Sequence, residues 1–147
     1  MRRIWRFQRC QIQAQWLLDR FQSSSEDPAV AMKILVVDDH QDTCEWLSEV
    51  LTGAGYQALT ANTLQEGVDA ISSEAPDLLI VDVRLGMFNG LQLIALSEKP
   101  IPAIVITGLA NPGLKREAHQ LEADYLIKPV EPSTLLALVE KKLAALA

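Results

Sequence analysis

The strongest constraint on this chain's fold is an alternation. Short apolar runs stand at 33–37 (KILVV), 56–60 (YQALT), 78–82 (LLIVD), 103–107 (AIVIT) and 124–127 (DYLI), each followed by a segment of helical character. Residues 42–54 place Cys44, Leu47, Val50, Leu51 and Ala54 at helical spacing, and Gly55 closes them. Thr63 with Glu66 forms a capping-box pair for a helix through Ser73, with Pro76 beyond it. Residues 90–98 and about 114–122 are shorter helix candidates, and a last helix starts near Pro132 and runs to the end. Runs such as LVV and AIVI are apolar on both sides, which suits central strands covered twice. Five strands alternating with five helices predict an α/β fold, a five-stranded parallel sheet doubly wound by helices on both faces.

The 147 residues suffice for one domain with a real core. A polar, Ser-rich stretch, "SSSEDPAVA" (23–31), reads as a linker. It divides an N-terminal extension with its linker (1–31) from the domain proper (32–147). The charge follows this division: residues 1–31 carry five Arg against three acids, and residues 32–147 carry eight Lys/Arg against sixteen acids. Such an acidic body repels nucleic acid phosphates, so direct nucleic acid binding is not expected. No apolar run approaches membrane-spanning length, and the basic start MRR is followed by no continuous apolar region, so neither a membrane span nor export is expected. Cys10 and Cys44 form no disulfide framework and suit a reducing cytoplasm, with Cys44 read as a small helix residue.

In the extension, Ile4, Phe7, Cys10, Ala14, Leu17, Leu18 and Phe21 share one helical face, with Trp5, Ile12 and Trp16 nearly opposite. A helix so patterned, carrying five arginines, could clamp a partner, dock on the acidic domain or lie on a membrane surface. Equally, Met32 could be the natural start.

In parallel α/β sheets ligands bind beyond the carboxyl ends of the strands. The polar residues there are Asp38 and Asp39 after the first run, Asp82 ending the third, Thr107 after the fourth and Lys128 after the fifth. Three carboxylates would raise one another's pKa unless a hard divalent cation neutralised them, and Mg²⁺ is such an ion. Metal, ammonium and hydroxyl together suit a phosphoryl group, which a carboxylate can also accept covalently as an aspartyl-phosphate. Asp82, between the acidic pair and the Lys/Thr pair, is the best candidate nucleophile. Each residue also has an ordinary reading: a solvated turn, a strand-end hydroxyl, a surface lysine.

The motifs "LVVDDH", "DLLIVDVRLGMFNG", "AIVITG" and "DYLIKP", in this order at strand ends, resemble the receiver domain of two-component response regulators across essentially all of residues 32–147. The resemblance, closest to a stand-alone, chemotaxis-type receiver, implies a flavodoxin-like strand order 2-1-3-4-5. It implies that Asp82 is the phosphoacceptor for a histidine kinase or phosphotransfer protein. It further implies that Asp39, Asp82 and the backbone carbonyl of Arg84 ligate Mg²⁺, with Asp38 acting through water. Thr107 would hydrogen-bond the phosphoryl group, Lys128 would pair with it, and Tyr125 would be the switch aromatic. The Lys128–Pro129 bond is expected to be cis. A downstream partner would read the fourth helix, fifth strand and fifth helix, where a homodimer is also a candidate.

Two positions depart from the family pattern. Gly86 replaces the usual proline four residues after Asp82 and is expected to loosen that loop. Asn111-Pro112-Gly113 is expected to delay or shorten the fourth helix. His40 and His119 are read as surface histidines. In the last helix Leu136, Val139, Leu143 and Leu146 form the expected core stripe, leaving Leu135 and Leu138 partly exposed.

Two competing readings are a phosphohydrolase with Asp82 as nucleophile and an interaction-only receiver that is never phosphorylated. The first usually needs an acid two residues after the nucleophile, where this chain has Arg84, so self-limited phosphorylation rather than turnover is expected. A flavin or nucleotide module would need a Gly-rich loop where Asp38 and Asp39 stand. With no further segment after the last helix, a stand-alone receiver or an isolated fragment is expected.

Overall fold

A computed structural model describes residues 31–108 and 111–145. The helical reading of residues 1–22 lies outside the described residues. Five parallel strands, β1 (Lys33–Val37), β2 (Gln57–Ala61), β3 (Leu78–Asp82), β4 (Ala103–Thr107) and β5 (Asp124–Ile127), form one sheet in the order 2-1-3-4-5. The connecting helices are α1 (Gln41–Gly53), α2 (Leu64–Glu74), α3 (Leu91–Leu96), α4 (Pro112–Gln120) and α5 (Pro132–Ala144). A two-residue ladder, Arg84–Leu85 against Phe88–Asn89, lies between β3 and α3 and has no counterpart in the sequence reading.

Strand alternation sorts the apolar residues into two cores. Leu35, Val37, Leu79, Val81, Ala103 and Val105 pack with α2, α3 and α4 on one face. Ile34, Val36, Leu78, Ile80, Ile104 and Ile106 pack with α1 and α5 on the other. Every residue of β3 and β4 is buried, as expected of central strands covered on both sides.

Thr63 caps α2 by accepting from Glu66 N at 3.1 Å, while the Glu66 carboxylate accepts from Asn62 N at 3.0 Å, one residue before the usual reciprocal partner. Pro132 opens α5 in its first turn.

Two expectations are corrected here. Asn-Pro-Gly does not delay α4: the Asn111 side chain accepts from Gly113 N at 2.8 Å and Pro112 occupies the first turn, so the tripeptide is the start signal. The helix runs to nine residues, against thirteen in α1 and α5. In α5, Leu135, Val139 and Leu143 make the buried stripe, spaced by four. Leu135 is fully buried, whereas Leu136 and Leu138 flank the core half-covered, because the helix presents a different face than the pattern suggested. Leu146 lies outside the described residues.

Candidate functional site

Side-chain alternation carries three charged groups onto one rim. Ile34 and Val36 face α1 and α5, so the next residue of that parity, Asp38, points the same way. Asp82 continues Leu78 and Ile80, and Lys128 continues Leu126. β1 and β3 are neighbours, which sets the two aspartates side by side. Lys128, two strands from β3, spans the gap with its long side chain. Its Nζ lies 2.7 Å from Asp82 Oδ2 and 3.2 Å from Asp38 Oδ2. The Lys128 backbone N–H donates to the Thr107 carbonyl at 2.8 Å, which fixes where that side chain begins. The Lys128–Pro129 bond is cis, as expected.

Among the described residues the buried polar ones, Asp38, Asp82 and Thr107, at 2%, 6% and 1% exposure, all stand at strand ends on this rim. Asp38 is held from several sides. Its N–H donates to Ala61 O at 3.1 Å, and its carbonyl accepts from Asn62 Nδ2 at 3.0 Å and from the Cys44 thiol at 3.4 Å. Its Oδ1 accepts from the His40 N–H at 2.8 Å. Asp82 Oδ1 accepts from Arg84 N at 3.0 Å, and the Arg84 side chain is exposed. Asp39 has the opposite parity and is exposed; its Oδ2 accepts from Gly86 N at 3.3 Å.

Burial raises the Asp38 carboxyl above the usual range; the His40 N–H opposes this, the Asp82 charge adds to it and Lys128 again opposes it. Burial pulls Lys128 down, but the Asp82 and Asp38 carboxylates outweigh it and its pKa is raised. The Cys44 thiol, buried beside Asp38, is pushed up to about 11, so it acts as a packing residue and weak donor rather than a nucleophile.

One potential ligand atom from each of Asp38, Asp39, His40 and Asp82 lies within 4.8 Å of all the others. Three carboxylates against one ammonium leave an excess of negative charge in a small space. That donor set fits a hard divalent cation.

Thr107 and Tyr125 share the opposite face of the sheet: Val105 pairs with Tyr125 and Thr107 with Ile127. Tyr125 is half-buried against the core on that side. Beside Lys128, a cavity of about 340 Å³ opens between α1 and the start of α5, lined by Asp42, Thr43, Trp46, Leu47, Pro129 and Val130 among others.

Two readings change. His40 is more than a surface histidine: its ring is largely exposed, yet Nδ1 lies 2.9 Å from Asp39 Oδ1 and 3.2 Å from Asp38 Oδ1. His119 is exposed on α4, as read. Gly86 does not simply loosen its loop. It has φ +60° at the first of two residues joining Leu85 to Phe88, the conformation a tight hairpin turn requires there. Gly90 and Asn62 went unremarked in the sequence. A Cβ on Gly90 would run into the Asp82 carbonyl oxygen, and the Gly90 N–H donates to Val83 O at 2.6 Å. Its signal was a glycine closing the loop just before a helix.

A family model described as response regulator receiver domain matches residues 34–140. The chain is 35% identical over 115 residues to the transcriptional regulatory protein ZraR of Escherichia coli (strain K12). That match covers 76% of this chain but 26% of ZraR, so the chain spans about a quarter of that relative's length. Among solved structures, it is similar to a CheY-like response regulator receiver domain protein from Methanospirillum hungatei, with TM-score 0.75 and 28% identity over 79% of this chain and 96% of that one. It is also similar to a response regulator protein from Burkholderia pseudomallei described with a phosphorylated aspartic acid, calcium ion and citrate. There the TM-score is 0.68 and the identity 29%, over 72% of this chain and 65% of that one.

Proposed function

The chain belongs to the response regulator receiver domain family, and on that premise we propose that Asp82 accepts a phosphoryl group from a histidine kinase or phosphotransfer protein in a Mg²⁺-dependent reaction. The observation that carries this reading is Lys128 bridging Asp82 and Asp38 inside a three-carboxylate pocket at the strand ends. In the transfer, an Asp82 carboxylate oxygen bonds to phosphorus as the donor's P–N bond breaks, and the donor imidazole departs with that electron pair. The Arg84 N–H on Oδ1 orients the carboxylate, and Lys128 stands where it can follow the new negative charge from Oδ2 to a phosphoryl oxygen. Thr107 is the hydroxyl that meets another phosphoryl oxygen. Asp39, Asp82 and the Arg84 carbonyl would hold Mg²⁺, with Asp38 acting through water; when bound, the ion neutralises the carboxylates and the incoming phosphoryl charge.

Thr107 moving toward the phosphoryl group vacates space on the face it shares with Tyr125, which couples the site to α4, β5 and α5. That surface is the one proposed for a downstream partner or a second copy. Residues 32–147 form the receiver and residues 1–31 an extension, and the proposed setting is the cytoplasm. ZraR is named as a transcriptional regulator, but this chain matches about a quarter of it, and residues 32–147 are acidic, so no nucleic acid contact is proposed for them. Arg84 two residues after Asp82 offers no general acid, which disfavours a turnover phosphohydrolase.

The test is incubation with Mg²⁺ and a small acyl phosphate, followed by intact-mass measurement. Wild type gains one phosphoryl group only with the cation present, and Asp82→Asn gains none. An unphosphorylated wild type would sink this reading in favour of the interaction-only receiver. Multiple turnover of a phosphoester would favour the hydrolase.

A further inference from the structure

His40 follows the acidic pair and stands at the N-cap of α1, with φ −95° and ψ 115°. Histidine is not a favoured N-cap residue, and its side chain makes no capping bond. Its ring instead turns to the carboxylates, with Nδ1 2.9 Å from Asp39 Oδ1 and 3.2 Å from Asp38 Oδ1. The backbone holds it there, since the His40 N–H donates to Asp38 Oδ1 at 2.8 Å. A six-coordinate ion with bonds of about 2.1 Å places adjacent ligand atoms about 3.0 Å apart and opposite ones about 4.2 Å apart. Without an ion the two His40–carboxylate separations are hydrogen-bond contacts, and they also equal the spacing of neighbouring vertices, so the ring already stands at ligand distance from the carboxylate oxygens. One potential ligand atom from each of Asp38, Asp39, His40 and Asp82 lies within 4.8 Å of the others, which places the imidazole beside the same ion that Asp39 and Asp82 would hold directly and Asp38 through water.

We propose that His40 supplies a nitrogen ligand to this pocket and thereby sets its cation preference. Mg²⁺ takes oxygen ligands, so its binding should not depend on the imidazole. Mn²⁺, Co²⁺ and Ni²⁺ accept imidazole nitrogen with increasing benefit along the Irving–Williams series, and Zn²⁺ accepts it as well. The pocket therefore takes a nitrogen-accepting divalent cation more tightly than its three carboxylates alone would. The cation present would then decide whether the ring is a ligand or stands aside. The inference rests on the reading of Asp38, Asp39 and Asp82 as a cation pocket.

The experiment is calorimetric titration of the untagged full chain with Mg²⁺ alone and with Ni²⁺ alone. It is repeated on His40→Ala, His40→Gln, His119→Ala and Asp39→Asn, with circular dichroism to establish folding. The chain has two histidines, so His119→Ala is the control for the other imidazole. Both His40 variants should lose Ni²⁺ affinity by roughly tenfold or more. Their Mg²⁺ affinity should stay within about twofold of wild type. His119→Ala should change neither. Loading with Co²⁺ gives a readout independent of phosphorylation: the visible absorption band should change in His40→Gln. Unchanged Ni²⁺ affinity and Co²⁺ spectrum in the His40 variants, with Mg²⁺ binding intact, would overturn the proposal and leave the pocket standing. Failure of wild type to bind either ion, or binding indifferent to Asp39→Asn, would overturn the pocket reading and this inference with it.

Discussion

Gly86 shows how much one loop position decides about the site. Its φ of +60° lies where proline, fixed near −65°, cannot go, and its N–H reaches Asp39 Oδ2, where proline has none to offer. Gly86→Pro should therefore cost about 1–3 kcal/mol in denaturant unfolding and weaken Mg²⁺ binding measured by titration. Gly86→Ala meets no neighbour within 4 Å and pays only for the positive φ, about 1 kcal/mol, with the N–H retained. Gly90→Ala is the severe case, because its Cβ would strike the Asp82 backbone itself. Equal effects of Pro and Ala at position 86 would show that the N–H to Asp39 does nothing. At this scale the strand-end residues Asp38, Asp39, Asp82, Thr107 and Lys128 were legible because their position relative to an apolar run announces the rim. Gly86 and His40 were not. Nothing periodic distinguishes a turn glycine or a polar-turn histidine, and their roles rest on which carboxylate oxygen lies opposite.

The elements were legible wherever periodicity and caps agreed, and their ends were not where one residue type carries two meanings. Proline and glycine break a helix interior, yet proline in the first turn is favourable, and Asn111 ahead of it completes a start signal. Asn111→Ala should cost about 1 kcal/mol through the lost cap, and Asn111→Asp should retain most of it. In α5 spacing alone does not choose the buried face, because positions 135, 136, 138 and 139 are all apolar. The structure chooses Leu135: its truncation to Ala should cost about 2–5 kcal/mol. Leu138→Ala, at a half-covered position, should cost clearly less. Chemical denaturation of both variants measures the difference, and an equal cost would place the helix at a different rotation. The Lys142–Asp124 pair at 2.9 Å ties the same helix to β5, so the α5 rotation and the β5 surface are linked.

For the whole molecule the governing quantity is charge. The net charge is −6, and folding gathers two buried carboxylates and one exposed one around a single ammonium. The Asp38 pKa is raised in the fold, so between its ordinary value and its folded value the native state binds more protons than the unfolded chain. Stability contributed there falls as pH rises through that window. Lys128, raised by its carboxylate partners, contributes stability that is fully present below its ordinary value and is lost only as pH rises from there through its folded value. A divalent cation would reverse the imbalance by binding the native state alone. At a concentration ten times its dissociation constant it contributes about 1.4 kcal/mol, or roughly 4–8 °C in melting temperature for a domain of this size. Asp82→Asn separates the two effects. It leaves one ammonium facing one buried carboxylate, so its cation-free melting temperature should equal or exceed that of wild type, while added Mg²⁺ should no longer raise it. A variant destabilised without cation, yet still stabilised by Mg²⁺ as much as wild type, would mean that Asp82 is a structural partner of Lys128 and no part of a cation pocket.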